Sequence, residues 1–412
     1  MKINEIERKS LDLLKHSIYL DKYGTYETSS EDYEFIRQEL QQHYVSALVV
    51  PYLTKINNIP ENVLSQWESD YNQQIYQYVN YNNKQKQVIK CLQDNKISFA
   101  ILKGTSASCY YPIPQLRAMG DIDIMTKRED IDTVCYLLEE IGYKRIQLQN
   151  DFGRTIKYIK GNLEIEVHNY FTSLNDPEKA EYLDDIILAN IEEGNTRLPD
   201  GVNGLVLLEH LGDHLEHGLG LRQIIDWMMY VRSCLSDAEW EDWFSYEAKK
   251  TGLDKLAIVV TRMCQLYLGL DDNIKWCNKA DIKVCRELMA YIMSSGNFGN
   301  KELKNIQRRE TIEVLTNNQG LFQKILLLQK YGEQNWISIR KYSFLKPFAW
   351  IYQLFHSIKK RIQAKTSIAE MFTAYRESQS RKKLFESLGV KQYAKGLAVR
   401  NGEHFEMREK NK

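Results

Sequence analysis

Hydrophobic residues recur at helical spacing towards both ends of the 412-residue chain, whereas its middle shows the spacing of β-strands. Apolar positions every three or four residues run through EDYEFIRQELQQHYVSALVV near the start and through GLVLLEHLGDHL after Pro199. Between residues 97 and 171 we predict the strands ISFAIL, GDIDIMT, YKRIQL, RTIKYIK and NLEIEVH, with a short helix in TSASCYY and a longer one in REDIDTVCYLLEEIG. Short links such as Gly161-Asn162 favour a mixed or antiparallel sheet. The pattern therefore predicts an α+β protein, with a small α/β unit between helical regions.

The same pattern divides the chain into four segments. We expect a helical N-terminal region in residues 1–95, the α/β unit in residues 96–198, a helical C-terminal domain in residues 199–358 and a basic helical tail in residues 359–412. The tail holds 14 lysines and arginines against 6 acidic residues, so it is the candidate surface for binding anions. A solvated helical face is the alternative, and we favour it.

Charge and composition narrow the class of protein. Lysine plus arginine equals aspartate plus glutamate at 55 each, so no overall charge indicates a nucleic-acid or membrane partner. No run approaches the roughly 20 apolar residues of a membrane-spanning helix, and the first residues lack the apolar centre of a secretory signal. Seven cysteines without a CxxC pair are typical of reduced thiols. We expect a cytoplasmic protein without a membrane span.

One segment, FLKPFAWIYQLFHSIKKRI, joins aromatic residues to a basic end. This combination is found in helices that lie on membrane surfaces. It also suits a helix in the core or between domains, which is the interpretation that we favour.

Two aspartates in the second predicted strand carry the clearest chemical signal. Asp121 and Asp123 alternate with Ile122 and Ile124, so both carboxylates are expected on one face while the isoleucines enter the core. Two like charges held close together are costly, and Mg²⁺ removes that repulsion while it binds phosphate oxygens. The alternative is an exposed strand end with solvated aspartates, and the short motif alone does not decide between the two.

A candidate phosphate site precedes this strand, between the first strand and the short helix. In LKGTS, Gly104 stands where backbone N–H groups can receive a triphosphate. Thr105 or Ser106 can add a hydroxyl donor, and Lys103 or Arg117 can meet the phosphate charge. We therefore interpret these five residues as nucleotide-binding.

A third carboxylate comes from the strand NLEIEVH. Glu164, Glu166 and His168 share one face of this strand, and its apolar residues share the other. In nucleotidyl transfer a third acid can bind metal and activate the attacking hydroxyl. We choose Glu166 because it is nearer the end of the strand and His168, and Glu164 stays open as the alternative. The predicted catalytic and metal-binding residues are thus Asp121, Asp123 and Glu166.

The order of these motifs resembles the polymerase β-like nucleotidyltransferase superfamily, in particular an uncharacterised bacterial family that writes its first motif as LKG. The resemblance implies that a glycine-led turn, a DxD strand and a later acidic strand surround one site. Thr105 stands where the superfamily commonly has a second glycine or a serine. The matching residues are Lys103, Gly104, Arg117, Gly120, Asp121, Asp123, Glu166 and His168.

A helical segment at 205–227, with the pattern HxxxHxxHGLGLRxxxDW, is similar to a second conserved region of the same family, so the likeness spans residues 97–232. GNFG at 296–299 and RKKLFESLGV near the end add weaker support. His210, His214 and His217 fall on one helical face, where they can bind zinc or pack against the catalytic unit; we favour packing. Arg222 and Asp226 can pair with each other or hold nucleotide or acceptor. The accessory site residues are therefore His168, His214, His217, Arg222 and Asp226.

The resemblance implies an enzyme that uses Mg²⁺ or Mn²⁺ to move a nucleoside monophosphate from a nucleoside triphosphate such as ATP to a hydroxyl group, releasing pyrophosphate. A small molecule or a protein is the expected acceptor, because the neutral overall charge disfavours nucleic acid without excluding it. Two alternatives remain: a non-catalytic nucleotide-binding or interaction module, and a toxin-like nucleotidyltransferase that modifies a cellular target.

Overall fold

The structure, a computed structural model, describes residues 3–19, 23–56, 59–146, 155–174 and 176–296, together with parts of 325–356 and residues 368–390. The chain divides into two compact units. One unit comprises Met1–Lys301 and Ser387–Lys412, and the other comprises Glu302–Glu386.

Five strands form one sheet at the centre of the first unit. Their order is β1-β2-β5-β4-β3, and β2 and β5 are parallel whereas the other neighbours are antiparallel. This arrangement confirms the predicted α+β class and mixed sheet. The strands are β1 (Phe99–Leu102), β2 (Ile122–Thr126), β3 (Lys144–Ile146), β4 (Thr155–Lys160) and β5 (Leu163–His168).

Helices precede and follow the sheet, as the apolar spacing predicts. Before and within the sheet region they are α1 (Glu5–Ile18), α2 (Ser30–Gln42), α3 (Val50–Leu53), α4 (Glu61–Asp94), α5 (Gly104–Ser108) and α6 (Ile131–Glu140). After the sheet they are α7 (Pro177–Ala189), α8 (Asp200–His217), α9 (Leu221–Cys234), α10 (Asp237–Glu239), α11 (Ser245–Thr251), α12 (Asp254–Leu268), α13 (Ile282–Ser295) and α14 (Ile368–Ser387).

Short 3₁₀ segments span Ser46–Val49, Pro114–Leu116, Arg128–Asp130 and Ser343–Phe348, and a π-helical turn spans Trp240–Phe244. None of the helices that the structure describes combines the length and the apolar character needed to cross a membrane.

Local sequence explains where several helices begin and end. Asn4 caps α1 in a reciprocal pair of hydrogen bonds with Glu7, at 2.8 and 2.9 Å, which satisfies two backbone N–H groups that the helix leaves unpaired. Asp176 caps α7, and Pro177 occupies its first turn. Gly269 ends α12 with φ +76°, a backbone conformation that is strained for other residues.

The core of the α/β unit lies on one face of the sheet, under α4 and α6. Ile122 and Ile124 on β2 are fully buried there, as their alternation with aspartates predicts. Val88 and Leu92 from α4 and Val134 from α6 complete the same cluster. Helix α4 therefore holds the sheet although it precedes the first strand in the sequence.

The opposite face of β2, β5 and β4 carries the polar side chains. Strands β4 and β5 form a hairpin across the two-residue turn Gly161-Asn162, in which Lys160 pairs with Leu163 and Lys157 with Glu166. The turn sets this register, and register decides which side chains face the same way. The site lies on this polar face.

In the second unit, the segment FLKPFAWIYQLFHSIKKRI begins with the 3₁₀ turn Ser343–Phe348 and continues in helical residues within 349–356. Phe348 and Phe355 are 54% and 65% exposed, whereas Ala349 and Gln353 are buried. The NFG part of the predicted GNFG motif, at 297–299, most of the basic tail and the side chain of His217 lie outside the described residues.

Candidate active site

Four side chains from neighbouring strands lie in one row across the polar face of the sheet. Leu102 on β1 pairs with Asp123 on β2, Asp123 with Glu166 on β5, and Glu166 with Lys157 on β4. Residues paired across a sheet project from the same face. Chain topology therefore brings together two carboxylates that are 43 positions apart in the sequence.

Asp123 is the buried centre of the site, with 1% of its surface exposed. Its Oδ1 lies 2.7 Å from Nζ of Lys103 and 2.8 Å from Nε2 of His168. Burial alone would raise the pKa of Asp123, but Lys103 and His168 outweigh it and lower the pKa to about 2. Asp123 is thus a carboxylate at any physiological pH.

Glu166 is less buried than Asp123, with its side chain 14% exposed, and it contacts Lys157, its neighbour in the row. Lys157 forms an ion pair with Glu166 and a second one, at 2.7 Å, with Glu164. The Glu164 side chain is 38% exposed, and its strand partner on β4 is Ile159. The strand register pairs Glu166, and not Glu164, with Asp123.

Asp121 lies one residue before β2 and stands apart from the closest-packed group. Among the residues that the structure describes, one group of three acidic or histidine side chains brings its ligand atoms within 4.8 Å of one another, namely Asp123, Glu166 and His168. Burial and the charge of Asp123 raise the pKa of Asp121 above its usual value, and Glu166 adds to this while Lys103 opposes it. Asp121 thus lies in a field that disfavours its negative charge.

The donor atoms suit a divalent cation. Carboxylate oxygens are the ligands that Mg²⁺ prefers, and an added imidazole nitrogen is also compatible with Mn²⁺. Burial and then the charge of Asp123 raise the pKa of Asp121, and a nearby cation would oppose both effects. Asp121, Asp123 and Glu166 could hold such an ion, with His168 either as a ligand or as a hydrogen-bond partner of Asp123.

The glycine-led turn lies directly beside this carboxylate group. Lys103 has φ +52° and Gly104 has φ +36°, so the chain turns sharply between β1 and α5. The hydroxyl of Tyr81 donates a 2.7 Å hydrogen bond to the carbonyl oxygen of Asp121. A Cβ atom on Gly104 would lie 2.8 Å from that hydroxyl, so the position has no room for a side chain unless Tyr81 moves.

Thr105 and Ser106 have their hydroxyl groups engaged within the protein. Ser106 is buried and donates to the carbonyl oxygen of Ile101, which ties α5 back to β1. The hydroxyl of Thr105 accepts a 2.7 Å bond from the amide of Gln85 on α4. The structure therefore gives Ser106 a role in holding the turn, whereas Thr105 still has a hydroxyl proton to donate.

Arg117 is bound to Asp226 rather than turned outward to a phosphate. Its Nε and Nη2 atoms each lie 2.8 Å from one carboxylate oxygen of Asp226, and both side chains are almost fully buried. Tyr111 donates a 2.7 Å bond to the same carboxylate. The two bonds match the arginine fork to the carboxylate. Asp226 also interacts electrostatically with Arg222, the pairing that the sequence leaves open beside a role in binding nucleotide or acceptor.

Helices α8 and α9 bring further charged and imidazole groups towards the site. Arg222 donates a 3.4 Å hydrogen bond to the carbonyl oxygen of Ala118, and burial together with Arg117 lowers its pKa. The rings of His210 and His214 make an edge contact, with centroids 4.4 Å apart. Burial, His214 and the charge of Lys103 hold the pKa of His210 well below its usual value, so this ring is neutral.

Sequence reasoning missed several residues that shape the site. Lys157 could have been found, because the two-residue turn after β4 fixes its pairing with Glu166. Tyr81, Asp184 and Glu209 gave no such signal. Asp184 accepts hydrogen bonds from the backbone of residues 171 and 172, and Glu209 accepts from the backbone and hydroxyl of Ser173, so two buried carboxylates hold the loop after β5.

The chain matches a family of known proteins. The sequence profile of a family described as uncharacterised nucleotidyltransferase matches residues 29–269, which is more than half of the chain. No curated protein and no solved structure matches the chain. The match includes the glycine-led turn, the row of Asp123 and Glu166, and helices α2 to α4 before them. The chain therefore belongs to this uncharacterised nucleotidyltransferase family.

Proposed function

We propose that the protein transfers a nucleoside monophosphate from a nucleoside triphosphate to a hydroxyl group, with Mg²⁺ or Mn²⁺ held by Asp121, Asp123 and Glu166. The observation that carries this proposal is the close group of Asp123, Glu166 and His168 in a chain that belongs to a nucleotidyltransferase family. The arrangement suits a polymerase β-like site, in which carboxylates from adjacent strands meet beside a glycine-led turn.

The reaction exchanges one phosphorus–oxygen bond for another. The acceptor oxygen forms a bond to the α-phosphorus, and the bond from that phosphorus to the bridging oxygen breaks, which releases pyrophosphate. A divalent cation, when bound, would neutralise part of the phosphate charge. Glu166, the more accessible of the two paired carboxylates, is placed to receive the acceptor's proton.

The remaining residues orient these groups. His168 donates from Nε2 to Oδ1 of Asp123 when Nε2 carries the proton, which fixes the direction of the carboxylate. Lys103 and the main chain at Gly104 lie beside the carboxylates, where they can meet phosphate oxygens. Arg117 acts indirectly, since its ion pair with Asp226 pins the segment before β2 to α9.

We further propose that the acceptor is a small molecule or a protein. The chain has equal numbers of basic and acidic residues, so it lacks the overall positive charge that favours long nucleic acid. We also propose a bacterial origin, which the sequence resemblance implies, and a cytoplasmic location, which the sequence pattern favours.

The proposal is tested with labelled nucleoside triphosphates, Mg²⁺ and a cell extract that supplies acceptors. We expect the intact protein to label one class of product and the Asp121→Asn/Asp123→Asn variant to label none. Asp94→Asn is the matched control, because Asp94 forms only an exposed ion pair with Lys90 at the end of α4. Failure of all four common triphosphates to bind or react would overturn the proposal.

A further inference from the structure

Two lysines already form ion pairs with two of the three carboxylates of the proposed metal site. Nζ of Lys103 lies 2.7 Å from Oδ1 of Asp123, and Lys157 forms an ion pair with Glu166. The two ammonium groups approach from opposite sides of the row, one from the turn after β1 and the other from β4. Each of the two carboxylates that face each other on β2 and β5 therefore has its own lysine.

Oδ1 of Asp123 already has two nitrogen neighbours in this arrangement. It accepts from Nζ of Lys103, and it also accepts from Nε2 of His168 when that atom carries the proton, so both of its lone pairs are then used. The side chains of Lys103 and Asp123 are 13% and 1% exposed, so solvent screens this ion pair little. A metal ion that arrives alone must compete with this ammonium group.

We propose that Lys103 and Lys157 are internal counter-ions that keep free metal out and move to the phosphates when a metal-bound nucleotide enters. This inference rests on the proposed function. A triphosphate with one bound divalent cation still carries negative charge, and the two lysines can neutralise it once the metal takes their place on the carboxylates. The site then admits metal and nucleotide together and discriminates against free metal.

The position of Lys103 suits this exchange. Its long, flexible stem allows the ammonium group to move while the main chain stays fixed. That main chain is fixed by Gly104, which is enclosed by Tyr81, and by the bond from Ser106 to β1. The ammonium group can therefore leave Asp123 without any change in the sheet.

The experiment compares two affinities in the full-length protein: that for free Mn²⁺, measured by electron paramagnetic resonance without nucleotide, and that for a Mn²⁺-bound non-hydrolysable triphosphate analogue. For Lys103→Met we expect free Mn²⁺ to bind at least about tenfold more tightly and the nucleotide complex at least about tenfold more weakly. Lys157→Met is expected to change both affinities in the same directions by smaller factors, because Lys157 is more exposed. If the lysine has only a structural role, its replacement is expected to weaken the binding of both free Mn²⁺ and the nucleotide complex.

Lys103→Arg keeps the charge and is expected to keep free Mn²⁺ binding weak, which separates charge from shape. Lys90→Met, which removes an exposed lysine paired with Asp94, is the control and is expected to change neither affinity. Free Mn²⁺ binding that is unchanged or weaker in folded Lys103→Met would overturn the counter-ion proposal. Circular dichroism establishes that each variant is folded, and Lys157→Met alone supports the same test.

The outcome also separates this inference from the proposed function. If the wild-type protein and Lys103→Met bind free Mn²⁺ equally and Asp123→Asn abolishes that binding, the metal site is supported and the counter-ion role is wrong. If Asp123→Asn leaves Mn²⁺ binding intact with and without nucleotide, the metal site itself is wrong.

Discussion

Two buried aspartates illustrate the difference between a structural ion pair and a reactive one. Asp226 is held by both arms of the Arg117 guanidinium group and by Tyr111, so its charge and its hydrogen-bonding capacity are satisfied. Asp123 meets single contacts from Lys103 and His168 and has two more carboxylates nearby. The partners of Asp226 balance its charge. The carboxylates gathered around Asp123, in contrast, favour the binding of a cation.

The contrast shows why burial alone does not identify a site. Asp123 and Asp226 are 1% and 2% exposed, so solvent exposure does not distinguish them. The distinguishing feature is the balance of neighbouring charges. Around Asp123, three carboxylates meet two lysines, and burial together with the charge of Asp123 raises the pKa of Asp121.

The strongest test of the contrast is Asp123→Asn, which keeps the shape of the side chain and removes its charge. We expect the rate of labelled product formation to fall roughly 10³-fold or more, because the metal-binding carboxylate is lost. Product formation is measured with saturating nucleotide and Mg²⁺, and Asp94→Asn should match the wild-type protein. Retention of a tenth of the activity would remove Asp123 from the catalytic group.

Asp226→Asn is expected to act on stability instead. It leaves the buried guanidinium of Arg117 without its charge partner, which costs about 3 kcal/mol of unfolding free energy. Urea denaturation measures this loss, and Asp94→Asn, which breaks an exposed pair, should cost less than about 1 kcal/mol. Equal stability of the two variants would contradict the structural role.

Tyr81→Phe tests the link between α4 and the site. It removes the hydrogen bond to the carbonyl oxygen of Asp121 and is expected to cost about 1 kcal/mol of stability. Tyr76→Phe, at an exposed position of the same helix, serves as the control and should cost nothing measurable in the same denaturation experiment. Identical curves for both variants would show that this contact contributes little.

The smallest expected effect is a stabilisation. Because the pKa of Asp121 is raised on folding, its ionisation opposes folding, and stability is lost as the pH rises above the usual carboxyl value of 3.8. In metal chelator at pH 7, Asp121→Asn should therefore raise the melting temperature by about 1–2 °C. The gain should vanish below pH 3.5 and when Mn²⁺ and nucleotide are added. A lower melting temperature of Asp121→Asn than of the wild-type protein at pH 7 would contradict the expected stabilisation.

Sequence alone anticipated the parts of the site that depend on local periodicity. The alternation of Asp121 and Asp123 with isoleucines correctly placed Ile122 and Ile124 in the core, and the strand NLEIEVH separated its polar face from its apolar face. Such inferences work because strand geometry repeats every two residues.

Contacts between distant segments could not be anticipated in the same way. Arg117 and Asp226 are 109 residues apart, and Tyr81 lies 40 residues before Asp121. The packing of the whole domain decides which helix covers each face of the sheet. The spacing of residues along a single sequence does not predict that packing. The sequence therefore indicated which residues carry chemistry, whereas their partners came from tertiary structure.

The two-residue turn between β4 and β5 has an evolutionary consequence. Because the side chains of a strand alternate between faces, one inserted or deleted residue in Gly161-Asn162 that shifted the pairing by one position would move Lys157 to the apolar face of the hairpin. We expect relatives that retain both the lysine and the glutamate to retain the length of this turn, even where its residues change. Relatives with a different turn length are expected to have lost the lysine as well, so loop length alone would divide the family into two lineages.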